Sequence, residues 1–294
     1  MRRGAALALL LLAACPGPAR KLDDAADRRH AGRPAEALAI YRQVLAELGE
    51  GRLPPGDAEL RLRALQYAGD VSYLELGDYR GAVAYYRRLI AFAPGTPDAW
   101  QARAVIGEIY RDRFSDPVGA IAQWAEVAAS PSPQAAAFQL KVAREYLDIR
   151  NTQQARTEAR ILRERWPRSP EADEAQLLTA QAWSLEKRTD EALRAFQATV
   201  DRHPAPDVAA RALEGEAQLY AEQGPGVRCG DSSCLDRAIA LYTEALAAHP
   251  NPDALRRNIE AVRRRQLAAR TVRPGDRAAA MDHVAPPPHD KVIP

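Results

Sequence analysis

One hydrophobic pattern recurs along most of the chain: an alanine, an aromatic residue four positions on, an aliphatic residue three further, and a proline about five beyond. Ala82 leads to Tyr86, Leu89 and Pro94; Ala192 to Phe196, Thr199 and Pro204; Ala238 to Tyr242, Ala245 and Pro250. Ala120 leads to Trp124, Val127 and a slightly early Pro131. Ala37 leads to Tyr41 and Val44 without the proline, and Ala155 to Ala159, Leu162 and Pro167, its aromatic lost. These spacings put the apolar residues on one stripe of a helix. About nine residues before most of these alanines stands another aromatic, itself preceded three residues earlier by a small residue. The pairs are Gly107/Tyr110, Ala143/Tyr146, Ala180/Trp183 and Ala217/Tyr220, with Asp70 in the small position before Tyr73. The pattern therefore predicts two antiparallel helices per unit, A and B. The small residues let the backbones approach, the aromatics fill the space beside them, and the proline ends helix B.

Six copies with steps of 45, 38, 35, 37 and 46 residues between their alanines resemble the tetratricopeptide repeat, whose period is about 34. The resemblance covers roughly residues 21 to 270. It implies an all-α fold, a right-handed superhelical solenoid of about six antiparallel hairpins plus a capping helix, because one hairpin alone cannot bury both its faces. Pro97-Asp98, Ser169-Pro170-Glu171 and Pro206-Asp207 supply helix starts with acidic first turns. The slightly long periods resemble the periplasmic subgroup of these repeats, which includes the lipoprotein of the β-barrel assembly machinery and the pilotins of secretin channels.

The chain's start has a different pattern. Arg2 and Arg3 precede an apolar run from Gly4 to Ala14, too short to cross a bilayer. The run ends in Leu12-Ala13-Ala14-Cys15, which resembles the lipobox of bacterial lipoproteins. The resemblance implies that residues 1–14 are removed as a signal peptide and that Cys15 is lipidated, with 15–20 a linker. With Pro16 rather than Asp beside Cys15, it implies delivery to the periplasmic side of the outer membrane. Several acyl chains make a durable anchor where one does not. An ordinary signal peptide with a chance cysteine is the competing reading.

Charge adds little. Lys+Arg total 41 and Asp+Glu 39, so without Arg2 and Arg3 the chain is neutral, and no polyanion is implied as a general partner. Locally, the helix opened by Asn251-Pro252-Asp253 carries Arg256, Arg257, Arg263, Arg264, Arg265 and Arg270 against Glu260. A solvated capping face is one reading, and a contact with acidic protein or anionic headgroups the other. Cys229 and Cys234 lie in an insertion of about nine residues, 225–234, between the helices of the sixth unit. In an oxidising compartment a disulfide is expected; free thiols are an alternative, and half a zinc site would need ligands that are not nearby. Residues 271–294, with Pro286-Pro287-Pro288, are expected to be a disordered tail.

Candidate chemistry is sparse. His203 and His249 hold the same place before the repeat proline, which argues for a structural role, and His283 and His289 lie in the tail. No nucleophile, metal or phosphate-loop pattern is present, and Gly224-Pro225-Gly226 reads as a turn. The expectation is a non-enzymatic, lipid-anchored scaffold without cofactor or metal. It would bind proteins of a cell-envelope assembly, secretion or motility complex, and neither nucleic acid nor a small-molecule substrate. The repeat family's inner-face positions fall here on Gln101, Glu108, Arg111, Arg144, Gln181, Arg211, Glu214 and Gln218. A structural cell-wall or polysaccharide-associated lipoprotein and a soluble adaptor are the alternatives.

Overall fold

The computed structural model describes residues 17–202, 204–222, 229 and 234–271, with the side chains of 269–271 left out. The expected signal segment 1–14, Cys15, His203, the expected tail from 272 with His283 and His289, and all of the insertion except Cys229 and Cys234 lie outside the described residues.

Among the described residues the secondary structure is helical throughout. The helices are α1 (Pro18–His30), α2 (Pro34–Leu48), α3 (Pro55–Asp70), α4 (Tyr79–Phe92), α5 (Pro97–Phe114), α6 (Pro117–Ala129), α7 (Ala135–Asp148), α8 (Thr152–Arg165), α9 (Pro170–Leu185), α10 (Thr189–Val200), α11 (Pro206–Glu222), α12 (Cys234–Ala245) and α13 (Pro252–Thr271). α1/α2, α3/α4, α5/α6, α9/α10 and α11/α12 pair as hairpins, α7 and α8 share a core of Leu140, Ala143, Ala155, Ala159 and Leu162, and α13 packs on α12. No described helix is long and apolar enough to cross a membrane. Packing divides the chain into two compact units, one ending at Phe138 and one beginning at Gln139.

The six pattern alanines, Ala37, Ala82, Ala120, Ala155, Ala192 and Ala238, are all 0% exposed, so each sits where two backbones come closest. The first five A–B turns share one backbone device. Gly32, Gly77, Ser115, Arg150 and Lys187, each five residues before its alanine, all have φ between 51° and 71°. Glycine takes this left-handed conformation freely; the other three do so at some cost in strain. Helix B then starts on a side-chain cap in three hairpins: Asp78 accepts from Gly81 N at 2.9 Å, Asp116 from Gly119 N at 2.9 Å, and Asn151 from Gln154 N at 3.2 Å.

The second hairpin departs from the sequence expectation. Gly69, not Asp70, is its small residue: a Cβ there would press on the Tyr86 ring, as one at Gly107 would on Trp124. A π-helical turn at Val71–Glu75, closed by Leu76 N to Val71 O, holds an extra residue and shifts the register by one. The turn-closing bond from Asp78 therefore reaches Ser72 O, where Asp116 in the next hairpin reaches Tyr110 O. Ser72 is the counterpart of Tyr110, and Tyr73 instead packs edge-on to Tyr79 at 6.1 Å. At the chain's start, α1 begins at Pro18, so residues 18–20 of the expected linker are helical. At the other end Leu255, Ile259 and Val262 of α13 join the core of α11 and α12, covering the last hairpin as a cap.

Candidate functional site

In the second unit the A helices α7, α9 and α11 lie side by side, and their helical register decides which residues share a concave surface. Gln181 and Gln218 each follow the small residue of their helix, 37 positions apart, and so take the same place on adjacent hairpins. They line one open cleft of about 490 Å³ together with Arg211 and Glu214. Its floor is apolar: Leu147, Leu185 and the ring of Phe196. Gly215 lies over that ring so closely that a Cβ would overlap it, so glycine is required for α11 to pack on α10. Asp148, Arg150 and Ser184 complete the rim, Arg150 placed there by its left-handed turn.

The charged groups are held by ion pairs between hairpins. Glu174 of α9 accepts from Arg144 Nη2 of α7 at 2.7 Å and, on both carboxylate oxygens, from Arg211 of α11. Arg211 also reaches Asp207 at 3.4 Å. Burial of Arg211 is the largest single influence and opposes its charge, but the bonds and charges of Glu174 and Asp207 together outweigh it and raise the pKa. Arg144, Glu174 and Asp207 line a second cleft of about 640 Å³, so the row of ion pairs borders both. Glu214 is bound by His249: the ring Nε2 is 2.9 Å from the carboxylate, while Nδ1 accepts from Asn251 N at 3.0 Å. Accepting at Nδ1 fixes the proton on Nε2, which donates to Glu214. His249 thus ties the end of helix B to helix A. Beside Glu214 stands Tyr242, whose hydroxyl burial pushes up to about 12.

Four of the eight expected inner-face residues, Gln181, Arg211, Glu214 and Gln218, thus meet in one cleft, and Arg144 lines its neighbour. In the first unit Gln101 lines a smaller cleft of about 270 Å³ with Asp70, Tyr73 and Tyr86. There the Tyr86 hydroxyl donates to Asp70 at 2.7 Å; burial raises the Asp70 pKa, and that bond pulls it back. Arg111 lines none of these clefts: it binds Asp112 at 2.7 Å and lies 5.6 Å from the Trp124 ring centre. Glu108 is half-buried on α5 and lines none of these clefts. The pivotal residue that sequence reasoning missed is Glu174. It stands 37 residues before Arg211, the same register place with opposite charge, and that spacing was available as a signal.

Cys229 and Cys234 are joined sulfur to sulfur, with Cα atoms 5.0 Å apart. Among the described residues no group of three or more His, Cys, Asp or Glu side chains could hold a metal ion.

A family profile described as Tetratricopeptide repeat matches residues 71–136 and 140–205, so the chain carries these repeats. Among solved structures, the C-terminal part of a TPR repeat-containing protein from Cytophaga hutchinsonii matches with TM-score 0.52 and 14% identity, over 77% of this chain and 78% of that one. MamA matches with TM-score 0.48 and 18% identity, over 68% of this chain and 96% of that one. A tetratricopeptide repeat protein from Parabacteroides merdae matches with TM-score 0.46 and 12% identity, over 83% and 98%. At these identities the likeness is one of fold: an all-α tetratricopeptide fold. No curated protein matches the sequence.

Proposed function

We propose that this chain is a protein-binding scaffold, anchored through acylated Cys15 to the periplasmic side of a bacterial outer membrane. There it would serve an assembly, secretion or motility complex of the cell envelope. The observation that carries the binding role is the meeting of Gln181, Gln218, Arg211 and Glu214 around one open cleft with a Phe196 floor. A volume of about 490 Å³ falls within the range of ligand sites. A carboxamide both donates and accepts, so Gln181 and Gln218 suit the N–H and C=O groups of an extended partner segment. The apolar floor suits one side chain of that segment. Arg211 is already committed to Glu174, which leaves Arg150 as the cleft's cation without an ion pair among the described residues. The role is binding rather than chemistry, as is general for these repeats.

The anchor is supported by Leu12-Ala13-Ala14-Cys15 and by the start of α1 only three residues after Cys15. A chain acylated there holds its first hairpin close to the bilayer, since two or three residues span only about 10 Å.

Two experiments test this reading. A photocrosslinking residue at Gln181 in living cells is expected to give a discrete adduct with an envelope protein. The adduct should weaken when Gln218→Ala and Arg150→Ala are added, and a crosslinker at exposed Arg52 should not form it. The same adduct from both positions, or none from position 181, would sink the cleft. Palmitate labelling is expected in the wild type and absent in Cys15→Ser; an unlabelled wild type would overturn the anchor.

A further inference from the structure

We propose that the exposed face of α13 is a docking strip for an anionic lipid surface. The helix buries Leu255, Ile259 and Val262, and at about 100° per residue this turns its arginines outward in two rows. Arg256 and Arg263 form one row and Arg257 and Arg264 the other, with two helical turns, about 10 Å, between members of a row. Arg265 lies beyond them, and all five are exposed.

Most of the second unit's other arginines are engaged. Arg144, Arg156, Arg160, Arg188, Arg202 and Arg211 all bind carboxylates. Among the described arginine side chains of α13 only Arg256 does, through Asp253. Arg257, Arg263, Arg264 and Arg265 have no ion pair or hydrogen bond among the described residues. Asp253 and Glu260 both fall between the rows, so five arginines face two acids for a local charge of +3.

Unpaired guanidinium groups fit phosphate oxygens two at a time. Charge alone would suit an acidic protein equally well. Leu267 decides for lipid: it is 65% exposed and falls between the two arginine rows. An apolar side chain amid cations is what an interfacial contact uses, the cations meeting headgroups while the leucine enters the acyl boundary.

The inference does not depend on acylation. Every described helix starts at or beyond Pro18, so a chain beginning at residue 15 with Cys15→Ser keeps the whole described fold. That protein is expected to co-sediment with phosphatidylcholine vesicles containing one-third phosphatidylglycerol, not with phosphatidylcholine alone, and to be released by high salt. Each arginine removed should weaken partitioning about five-fold, so Arg257→Gln/Arg263→Gln/Arg264→Gln should lose about 100-fold. Lysine at the same three positions should restore most of it, and Leu267→Ser should lose a few-fold. The equal-charge control Arg52→Gln/Arg80→Gln/Arg194→Gln, at exposed arginines without ion pairs, should bind as the parent does. Equal losses in both triple variants would reduce the effect to net charge and overturn the strip. Binding to polyglutamate without binding to anionic vesicles would overturn it in favour of an acidic protein.

Discussion

In the unit ending at Phe138, arginines that reach a neighbouring hairpin meet aromatic groups. Arg42 donates to the Tyr85 hydroxyl at 2.8 Å, Arg87 to that of Tyr110, and Arg113 lies 5.0 Å from the Tyr79 ring centre. In the unit beginning at Gln139 they meet carboxylates: Arg144 and Arg211 share Glu174, and Arg156 binds Glu186, although Arg156 also lies 3.6 Å from the Trp183 ring centre. The first unit has exceptions in Arg29–Glu75 and the long, exposed Arg88–Glu50 pair. The difference concerns what each unit responds to. Contacts to hydroxyls and ring faces keep their strength across pH and change little with salt. Carboxylate pairs weaken as salt is added and as pH falls far enough to protonate the carboxylate. The cleft with the most inner-face residues therefore lies in the unit whose hairpin links respond to ionic conditions.

The largest expected effect breaks the aromatic side. Trp124 is fully buried, spans the gap over Gly107, and donates its ring N–H to Ala104 O at 3.2 Å. Trp124→Ala should cost about 3–5 kcal/mol. Hydrogen exchange should then rise in α5 and α6 while α9 to α12 keep their protection. Equal loss of protection in both units would mean that the division by packing is not a division of stability.

Much of this was legible from the repeat, and the reason is steric. The six alanines and the aromatics four residues on sit at helix crossings, where volume is fixed and few residue types fit, so the constraint is written in composition. The left-handed position five residues before the first five alanines was not fully legible. Its backbone angle is set by the turn, and Ser115, Arg150 and Lys187 carry no glycine signature. The small position of the second hairpin was misassigned because a π-helical turn shifts the register without marking the sequence. Within the cleft, Gln181, Arg211, Glu214 and Gln218 came from register alone. Glu174 and Gly215 were missed because they answer to partners on another helix, Arg211 and Phe196, rather than to the repeat pattern.

The next effect sharpens the ionic side. Glu174 is 20% exposed and joins three hairpins through two arginines. Glu174→Gln keeps the shape and removes the charge. Because Arg144 is half exposed, solvent screens part of the interaction, and the cost should be about 1 kcal/mol. Salt should distinguish it: added salt should narrow the gap between wild type and variant in chemical denaturation. Tyr85→Phe, which removes the matching link in the first unit, should show a gap that salt leaves unchanged. Equal salt dependence in the two pairs would erase the contrast between the units.

The smallest effect concerns a second glutamate of the same unit and has the opposite sign. Glu216 on α11 is 4% exposed; its Oε2 has no hydrogen-bond partner, and Arg237 approaches Oε1 only to 3.7 Å. Burial pushes its pKa above the ordinary 4.5, and Arg237 pulls it back only in part. A raised carboxyl pKa means that the folded chain binds the proton more tightly than the unfolded chain. Between the two pKa values the folded state therefore holds more protons, and stability falls as pH rises through that window. Near neutral pH the charged form carries the full penalty of burial, which glutamine avoids. Glu216→Gln should therefore raise Tm near neutral pH, and the gain should vanish well below 4.5, where the wild-type carboxyl is protonated in both states. A lower Tm for the variant near neutral pH would mean that the Arg237 pair outweighs burial. Where Glu174 bridges two arginines, loss of its charge loosens the unit; where Glu216 is buried with one distant arginine, loss of its charge tightens it.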